Sequence, residues 1–388
     1  MMTNISIDKE YVANTYARFP IEISYGNGSL VYSADGKEYI DLGSGIGVTA
    51  FGISDKEWQK AVMEQLSKVQ HTSNLYYTEP CARLAKMLCE RTGMKKVFFG
   101  NSGAEANECA IKVARKYGQD KRGKDCNVII TLKNSFHGRT LTTLAATGQD
   151  KFHELFTPLT SGFVYATAND LDSVKTLIKE NNVCGIMIEC IQGEGGVNAL
   201  ETAFVKGIRA LCDENDIIMI VDEVQTGNGR TGELYAYMNY GIMPDVVSTA
   251  KGLGGGLPIG CCMMNEKTEK VLSFGDHGST FGGNPVCSAG AISVLERIDE
   301  KLLSEVKEKS EYIFNELKDA KGVESVSGMG LMIGIKTVRP AKDVLADCIE
   351  NGVLCLTAKD KVRLLPALNI PFDTLKKAIS VIKQAVAK

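Results

Sequence analysis

Lys251 stands at the end of an apolar run and is followed by four glycines in five residues, in the stretch "STAKGLGGGLPIGCC" (248–262). A lysine inside a buried strand loses its hydration, which costs several kcal/mol unless something compensates. The plainer reading ends the strand one residue earlier and leaves the ammonium in solvent. Four other stretches carry residues that could work with it. "IIMIVDEVQTGNGRTG" (217–232) ends a buried strand on Asp222-Glu223. Two acids there cap a turn or face water; Asp222 could also hold a ring nitrogen protonated through a charge-assisted hydrogen bond. "FFGNSGAEANECAIKVARKYG" (98–118) reads as a strand, a Ser-Gly-Ala turn and a helix. The free amides at the positive end of the helix dipole form a ready anion site, and Gly103 lets the backbone approach closely.

"NSFHGRT" (134–140) supplies Phe136, which can stack on a flat ring, and Arg139, which can clamp a carboxylate. A core aromatic and a surface arginine would leave the same pattern. "GSTFGGNP" (278–285) sets Ser279 and Thr280 before a glycine turn. These hydroxyls suit a phosphate or carboxylate, although most such pairs only make turns. No GxxxxGK loop closed by Ser or Thr occurs. "GLGGG" lacks dinucleotide spacing and "GNGSLV" lacks the preceding strand, so a nicotinamide site is a weak reading. Together the pieces describe one chemistry. An anion cradle, an aromatic plate, an aspartate at a strand tip and a strand-end lysine suit pyridoxal phosphate. The cradle takes the phosphate, Phe136 the ring face, Asp222 the pyridine nitrogen and Lys251 the aldehyde, as a Schiff base. Bound in that way, the lysine is no longer a bare buried ammonium; released as an amine, it can move a proton.

Such residues need a scaffold that brings strand ends together. Candidate strands are "KVFFG" (96–100), "NVIIT" (127–131), "CGIMIE" (184–189), "IIMIVDE" (217–223), "DVVST" (245–249) and "GCCMM" (260–264). Helical patterns lie at 104–118, 171–181 and 201–215. Continuous apolar strands alternating with helices predict a mostly parallel sheet covered on both faces. Ligands in such sheets collect at the carboxyl ends of the strands, where Gly100–Gly103, Glu189, Asp222 and Lys251 fall. Asp35-Gly36 predicts a hairpin turn, and Ser54 with Glu57 a capping box opening a helix whose apolar face holds Trp58, Val62, Leu66 and Val69. One long helical stretch is expected from Asn284-Pro285 to about Lys321, then short strands near 324–337 and 361–365 and two terminal helices. The expected organisation is a large α/β domain, 56–290, and a smaller α+β domain combining 1–55 with 291–388.

The 388 residues are 44% hydrophobic and 23% charged, with net charge −3. That composition is ordinary for a globular chain and gives no electrostatic case for nucleic acid or anionic membrane. No secretory signal stands at the N-terminus, and no apolar run approaches the roughly 18 residues of a membrane helix. Twelve cysteines without a CxxC pair and four histidines show no metal-ligand spacing. They read as reduced core thiols of a cytoplasmic protein.

The ordered motifs "NSGAEANE", "FHGRT", "IQGEGG", "DEVQTGNGRTG", "STAKGLGGGLPIG", "HGSTFGGNP" and "VRLLPAL" resemble the class III (subgroup II) pyridoxal-phosphate aminotransferases of fold type I across essentially the whole chain. The resemblance implies residue roles. Gly103 and Ala104 would bind the phosphate, and Phe136 would stack on the ring. Asp222 would hold the ring nitrogen, Gln225 the phenolic oxygen, and Val224 would pack under the ring, with Glu223 beside them among the cofactor-binding residues. Lys251 would carry the cofactor. Thr280 would reach the phosphate of a neighbouring subunit, which implies a homodimer with shared sites. Ser279 would lie beside the substrate, and Arg139 and Arg363 would bind its carboxylates. Glu194 would pair with an active-site arginine when a substrate lacks its second carboxylate.

Within the family, "HTSNLYYTEP" (71–80) and the chain length are similar to the acetylornithine branch. That implies transfer of the terminal amino group of N2-acetylornithine to 2-oxoglutarate, with ornithine, succinylornithine or 4-aminobutyrate transfer and an intramolecular aminomutase as rivals on the same scaffold. Ornithine-specific members carry a tyrosine where Leu30 aligns. An acylated nitrogen carries no charge and suits an apolar neighbour, whereas a free ammonium left unpaired there would cost several kcal/mol. Cys190 stands where the family usually has proline, with no expected effect on the chemistry.

Overall fold

The computed structural model describes residues 3–388. Its centre is a seven-stranded sheet in the spatial order Lys96–Gly100, Gly260–Met264, Val246–Thr249, Ile218–Asp222, Val183–Ile188, Val128–Leu132, Phe163–Ala166. Gly260–Met264 runs antiparallel to both of its neighbours, and the remaining pairings are parallel. Val183–Ile188 and Ile218–Asp222 are buried at every residue, which requires cover on both faces. Alternate side chains divide accordingly. Met187, Ile218 and Ile220 pack with Cys109 and Val113 of the helix Gly103–Arg122. Ile186, Ile188, Met219 and Val221 share the other cluster with Phe204, Val205 and Ile208 of the helix Thr202–Glu214. All six expected strands are present within a residue or two of their expected ends. The seventh, Phe163–Ala166, is a short edge strand with only its last residue buried. Its run "FVYA" is not among the expected strands.

Two four-stranded sheets and a two-stranded one accompany the large sheet. The hairpin Leu30–Ser33 and Glu38–Asp41 turns through Gly36, whose φ of 87° suits glycine. The C-terminal strand Val353–Leu354 pairs with Glu38–Asp41, so the two ends of the chain share one sheet. The other four-stranded sheet is antiparallel: Val323–Met329, Met332–Thr337, Lys361–Leu364 and Leu356–Ala358. Three local expectations are corrected. The helix Lys56–Leu66 is capped by Asp55, which accepts from the Trp58 amide, and not by Ser54, whose φ is 55°. Its Leu66 is exposed and Gln65 is buried. The stretch expected as one helix from 284 is two, Pro285–Arg297 and Glu300–Leu317. Ile298 leaves helical geometry, and Asp299 caps the second helix by accepting from the Leu302 amide at 2.8 Å.

Candidate active site

A cavity of about 390 Å³ opens at the carboxyl ends of the central strands. Val221 pairs with Ile188, and Asp222 with Ser248. The residues at and just beyond those ends, Glu189, Asp222 and Lys251, therefore emerge side by side and line the cavity. Opposite them is the first turn of Gly103–Arg122. Ser102 caps that helix by accepting from the Glu105 amide at 3.2 Å. The Glu105 carboxylate returns to the Asn101 amide and the Ser102 hydroxyl, each at 2.8 Å. This Ser-x-x-Glu cap was present in the sequence as a signal and escaped the motif reading. The amides of Gly103 and Ala104 have no intrahelical acceptor and border the cavity. A Cβ on Gly103 would sit 2.6 Å from Val224 Cγ1, and one on Gly260 2.2 Å from the Ser102 carbonyl oxygen. Both glycines are needed to let this turn close on the strand ends.

Asp222 is the most heavily anchored group. Its Oδ2 accepts from Asn107 Nδ2 at 2.7 Å and from His137 Nδ1 at 2.8 Å, and its Oδ1 accepts from the Val224 amide at 3.0 Å. The His137 side chain is fully buried, and its Nε2 and the Asn107 Oδ1 have no partner among the described residues. Lys251 follows its strand with φ of 43°, the left-handed region, a strain of order 1–3 kcal/mol that clusters at functional sites. Asn228 holds the strand end by donating to Thr249 Oγ1 at 3.0 Å and to the Ala250 carbonyl at 3.2 Å. Lys251 is open to the cavity but walled in otherwise, and burial lowers its ammonium pKa against the pull of Glu194, Asp222 and Glu189. That is the direction the anticipated desolvation cost takes, away from the ammonium and toward the free amine.

The sequence profile described as Aminotransferase class-III matches residues 11–386. The chain belongs to the class-III aminotransferase family. It is 50% identical over 384 residues to the acetylornithine aminotransferase of Haemophilus ducreyi, covering 98% of each chain. Among solved structures it is similar to the ornithine aminotransferase of Toxoplasma gondii ME49, with TM-score 0.95, 30% identity, and 99% and 94% of the two chains covered. It is also similar to the N-acetylornithine aminotransferase of Stenotrophomonas maltophilia, with TM-score 0.86, 32% identity, and 99% and 98% covered. This class-III aminotransferase has the mostly parallel α/β architecture expected of it.

The remaining site residues fall into three groups. Phe136, Val224 and Gln225 line the cavity with Gly103, Ala104, Asp222 and Lys251. Glu194 and Arg363 adjoin it: Arg363 Nη1 donates to Glu194 Oε1 at 2.5 Å and to Gln225 Oε1 at 3.2 Å. Burial works against the Glu194 carboxylate, but Arg363 outweighs it and holds its pKa below the usual range. The Arg363 Nε has no partner among the described residues although the residue is only 3% exposed. Arg139 stands at the exposed rim, its guanidinium 4.5 Å from the centre of the Phe152 ring. Glu223 and Thr280 lie apart from this cavity. Glu223 is fully buried on the far side of its strand end, accepting from the Tyr237 amide at 2.8 Å and the Thr226 hydroxyl at 2.5 Å. Thr280 is exposed and, with Ser279, borders a second cavity of about 510 Å³. Ser279 also meets Asn101 Nδ2 at 3.1 Å, which ties it back to the first cavity. Cys190 is wholly buried in the apolar core, away from the cavity.

Asn101, Asn107 and His137 are functional neighbours that the sequence reading did not assign. Asn107 and His137 meet Asp222 across 115 and 85 residues. Only the histidine of "FHGRT" gave any hint. The donor set fits pyridoxal phosphate. It offers two uncommitted helix amides for a phosphate, an anchored carboxylate for a ring nitrogen and an amine-favouring lysine for an aldehyde.

Proposed function

We propose that this class-III aminotransferase moves the terminal amino group of N2-acetylornithine to 2-oxoglutarate, giving N-acetylglutamate 5-semialdehyde and glutamate. The carrying observation is Lys251 beside Asp222 in one cavity, with the Glu194–Arg363 pair next to it. Bound pyridoxal phosphate supplies an electron sink for the carbon that loses its proton. Gly103 and Ala104 would hold its phosphate, Phe136 and Val224 its ring faces, Gln225 its phenolic oxygen and Asp222 its ring nitrogen. Asn107 and His137 fix the Asp222 carboxylate, so its charge is aimed before any ligand arrives. The Lys251 amine would take a proton from the substrate carbon that bears the amino group and return it two atoms away, on the carbon across that nitrogen.

Two different substrates must use one site in turn. While Glu194 occupies Arg363, the arginine is neutralised and the pocket suits a donor with one carboxylate, anchored at the rim by Arg139. When Glu194 swings away, Arg363 is free to bind the second carboxylate of 2-oxoglutarate. Leu30, half-buried in the N-terminal hairpin, offers no hydroxyl to a free α-ammonium. This favours the acylated donor over ornithine, and the similarity to acetylornithine aminotransferases supports the same choice.

The active form in this reading is a homodimer with shared sites. Thr280 lies too far outside its own cavity to line it, and Leu75, Tyr76, Tyr77 and Phe281 around it are exposed apolar groups. A second copy would cover them and bring its own Thr280 to the phosphate end. We place the boundary of the large unit near 56 and 290, with 1–55 and 291–388 as the smaller unit, and the protein in the cytoplasm. The free state of all twelve cysteines supports that compartment. Among the described residues no helix is long and apolar enough to cross a membrane. The test is Lys251→Ala. Turnover of N2-acetylornithine with 2-oxoglutarate should disappear, and borohydride should no longer fix the cofactor to the chain. Full turnover in that variant would overturn the mechanism.

A further inference from the structure

Two carboxylates share the floor of the cavity. Asp222 and Glu189 sit at adjacent strand tips, 4% and 6% exposed. Two like charges so close in a low-dielectric pocket do not both persist; the proton settles on the group with fewer donors. Three donors converge on Asp222: Asn107, His137 and the Val224 amide. A single donor reaches Glu189, the Phe136 amide, at 2.9 Å from Oε2. Its Oε1 makes no hydrogen bond with the described residues, while the side chain lines the cavity. No cation lies within ion-pair distance among the described residues. Arg363 is taken by Glu194, and Lys251 pairs with neither acid. The charged groups near Glu189 are Asp222 on the neighbouring strand, Glu194 on the following loop and Lys251 beyond the next strand end. Burial first, then Asp222, raise the Glu189 pKa well above the carboxylate range, against the Phe136 amide and Lys251.

We propose that Glu189 works as a protonated carboxylic acid, a neutral hydrogen-bond donor presented to the cavity, and neither as a second anion nor as a base. Two consequences follow. Asp222 is left as the lone carboxylate charge on the floor, so a ring nitrogen meets one well-aimed partner. Lys251 is spared a second anion that would hold it as an ammonium, and only the free amine attacks an aldehyde or takes a proton. The O–H of Glu189 is free to donate to an oxygen acceptor on the bound cofactor or substrate. This deepens the aminotransferase reading and rests on it for the identity of that acceptor.

Glu189→Gln keeps the size and the donor and removes the carboxyl; Glu189→Ala removes both. The infrared difference spectrum between the purified wild-type enzyme and E189Q at neutral pH should contain the carbonyl stretch of a protonated acid. A carboxylate pair of bands in its place overturns the proposal. In turnover, E189Q should stay within about threefold of wild type with an unchanged pH profile, whereas E189A should lose about tenfold, the scale of one hydrogen bond. An E189Q enzyme that binds cofactor but is as slow as E189A would show that the ionised acid is required, and the proposal falls. The infrared result does not depend on turnover. If Lys251→Ala kept its activity, the functional reading would fail while the Glu189 band remained to be seen.

Discussion

The floor and the rim of the cavity are built on opposite plans. On the floor the framework is held within one chain: three donors on Asp222, Asn228 on the strand end before Lys251, a capped helix with two amides to spare. At the rim, Arg139 rests on an aromatic ring with no ion pair among the described residues, and beyond it, at and beside the second cavity, Ser279, Thr280, Tyr76, Tyr77 and Phe281 are partly or fully exposed. The floor is set before binding, by strand register. The rim is left to be completed, by substrate carboxylates and, in our reading, by a second copy of the chain. Chemistry that must not vary is placed where the backbone dictates position; selection of the two substrates is placed where side chains can move.

If the floor is preorganised, damage there should be the most costly. Asp222→Asn should lower kcat by about a thousandfold, the scale of removing a preorganised electrostatic partner, with little change in Tm. A loss below tenfold would mean that Asp222 is not the partner of the ring nitrogen. Arg363→Ala should raise KM for 2-oxoglutarate by about a hundredfold and disturb the amino donor much less, because a charged hydrogen-bond pair is lost with only one substrate. Equal effects on both half-reactions would contradict the Glu194 switch. Beyond the rim, Thr280→Ala should weaken cofactor binding by about tenfold, one phosphate hydrogen bond. Dimers mixed from T280A and K251A chains should regain one intact site in those pairs where each chain's defect falls in the same cavity. A monomer at assay concentrations by sedimentation would remove the shared-site reading.

Glu223 gives the smallest effect and a control for the comparison, as an acid beside the floor that faces the core. Burial raises its pKa to about 7. The stability it allows is complete below the unfolded carboxylate value and is lost as pH rises through 7. Wild type should therefore lose about 3 kcal/mol relative to Glu223→Gln between about pH 4 and pH 8, read from urea unfolding. Catalysis at neutral pH should hardly change.

Strands and the residues at their tips were legible in the sequence because burial on both faces writes a continuous apolar run, and a polar residue that ends it stands out. Lys251 and Asp222 were found in that way. Asn107 and His137 were not, since neither spacing nor period links a mid-helix asparagine to an aspartate 115 residues on. Glu189 stood at a strand tip, but its pairing with Asp222 depends on which strands are neighbours in the sheet. The break at Ile298 was hidden inside a helical pattern, and Asp299, a good cap, was its only sign. The exposure of Thr280 had no sequence signal apart from the family resemblance.

The most direct test is a single-turnover experiment on the purified enzyme carrying its cofactor. N2-acetylornithine, ornithine and 4-aminobutyrate are added separately, and the loss of the cofactor's visible absorbance is followed. The account predicts that N2-acetylornithine reacts far faster than the other two and that 2-oxoglutarate then restores the absorbance. Faster reaction with ornithine or 4-aminobutyrate would contradict the substrate assignment and the role given to Leu30.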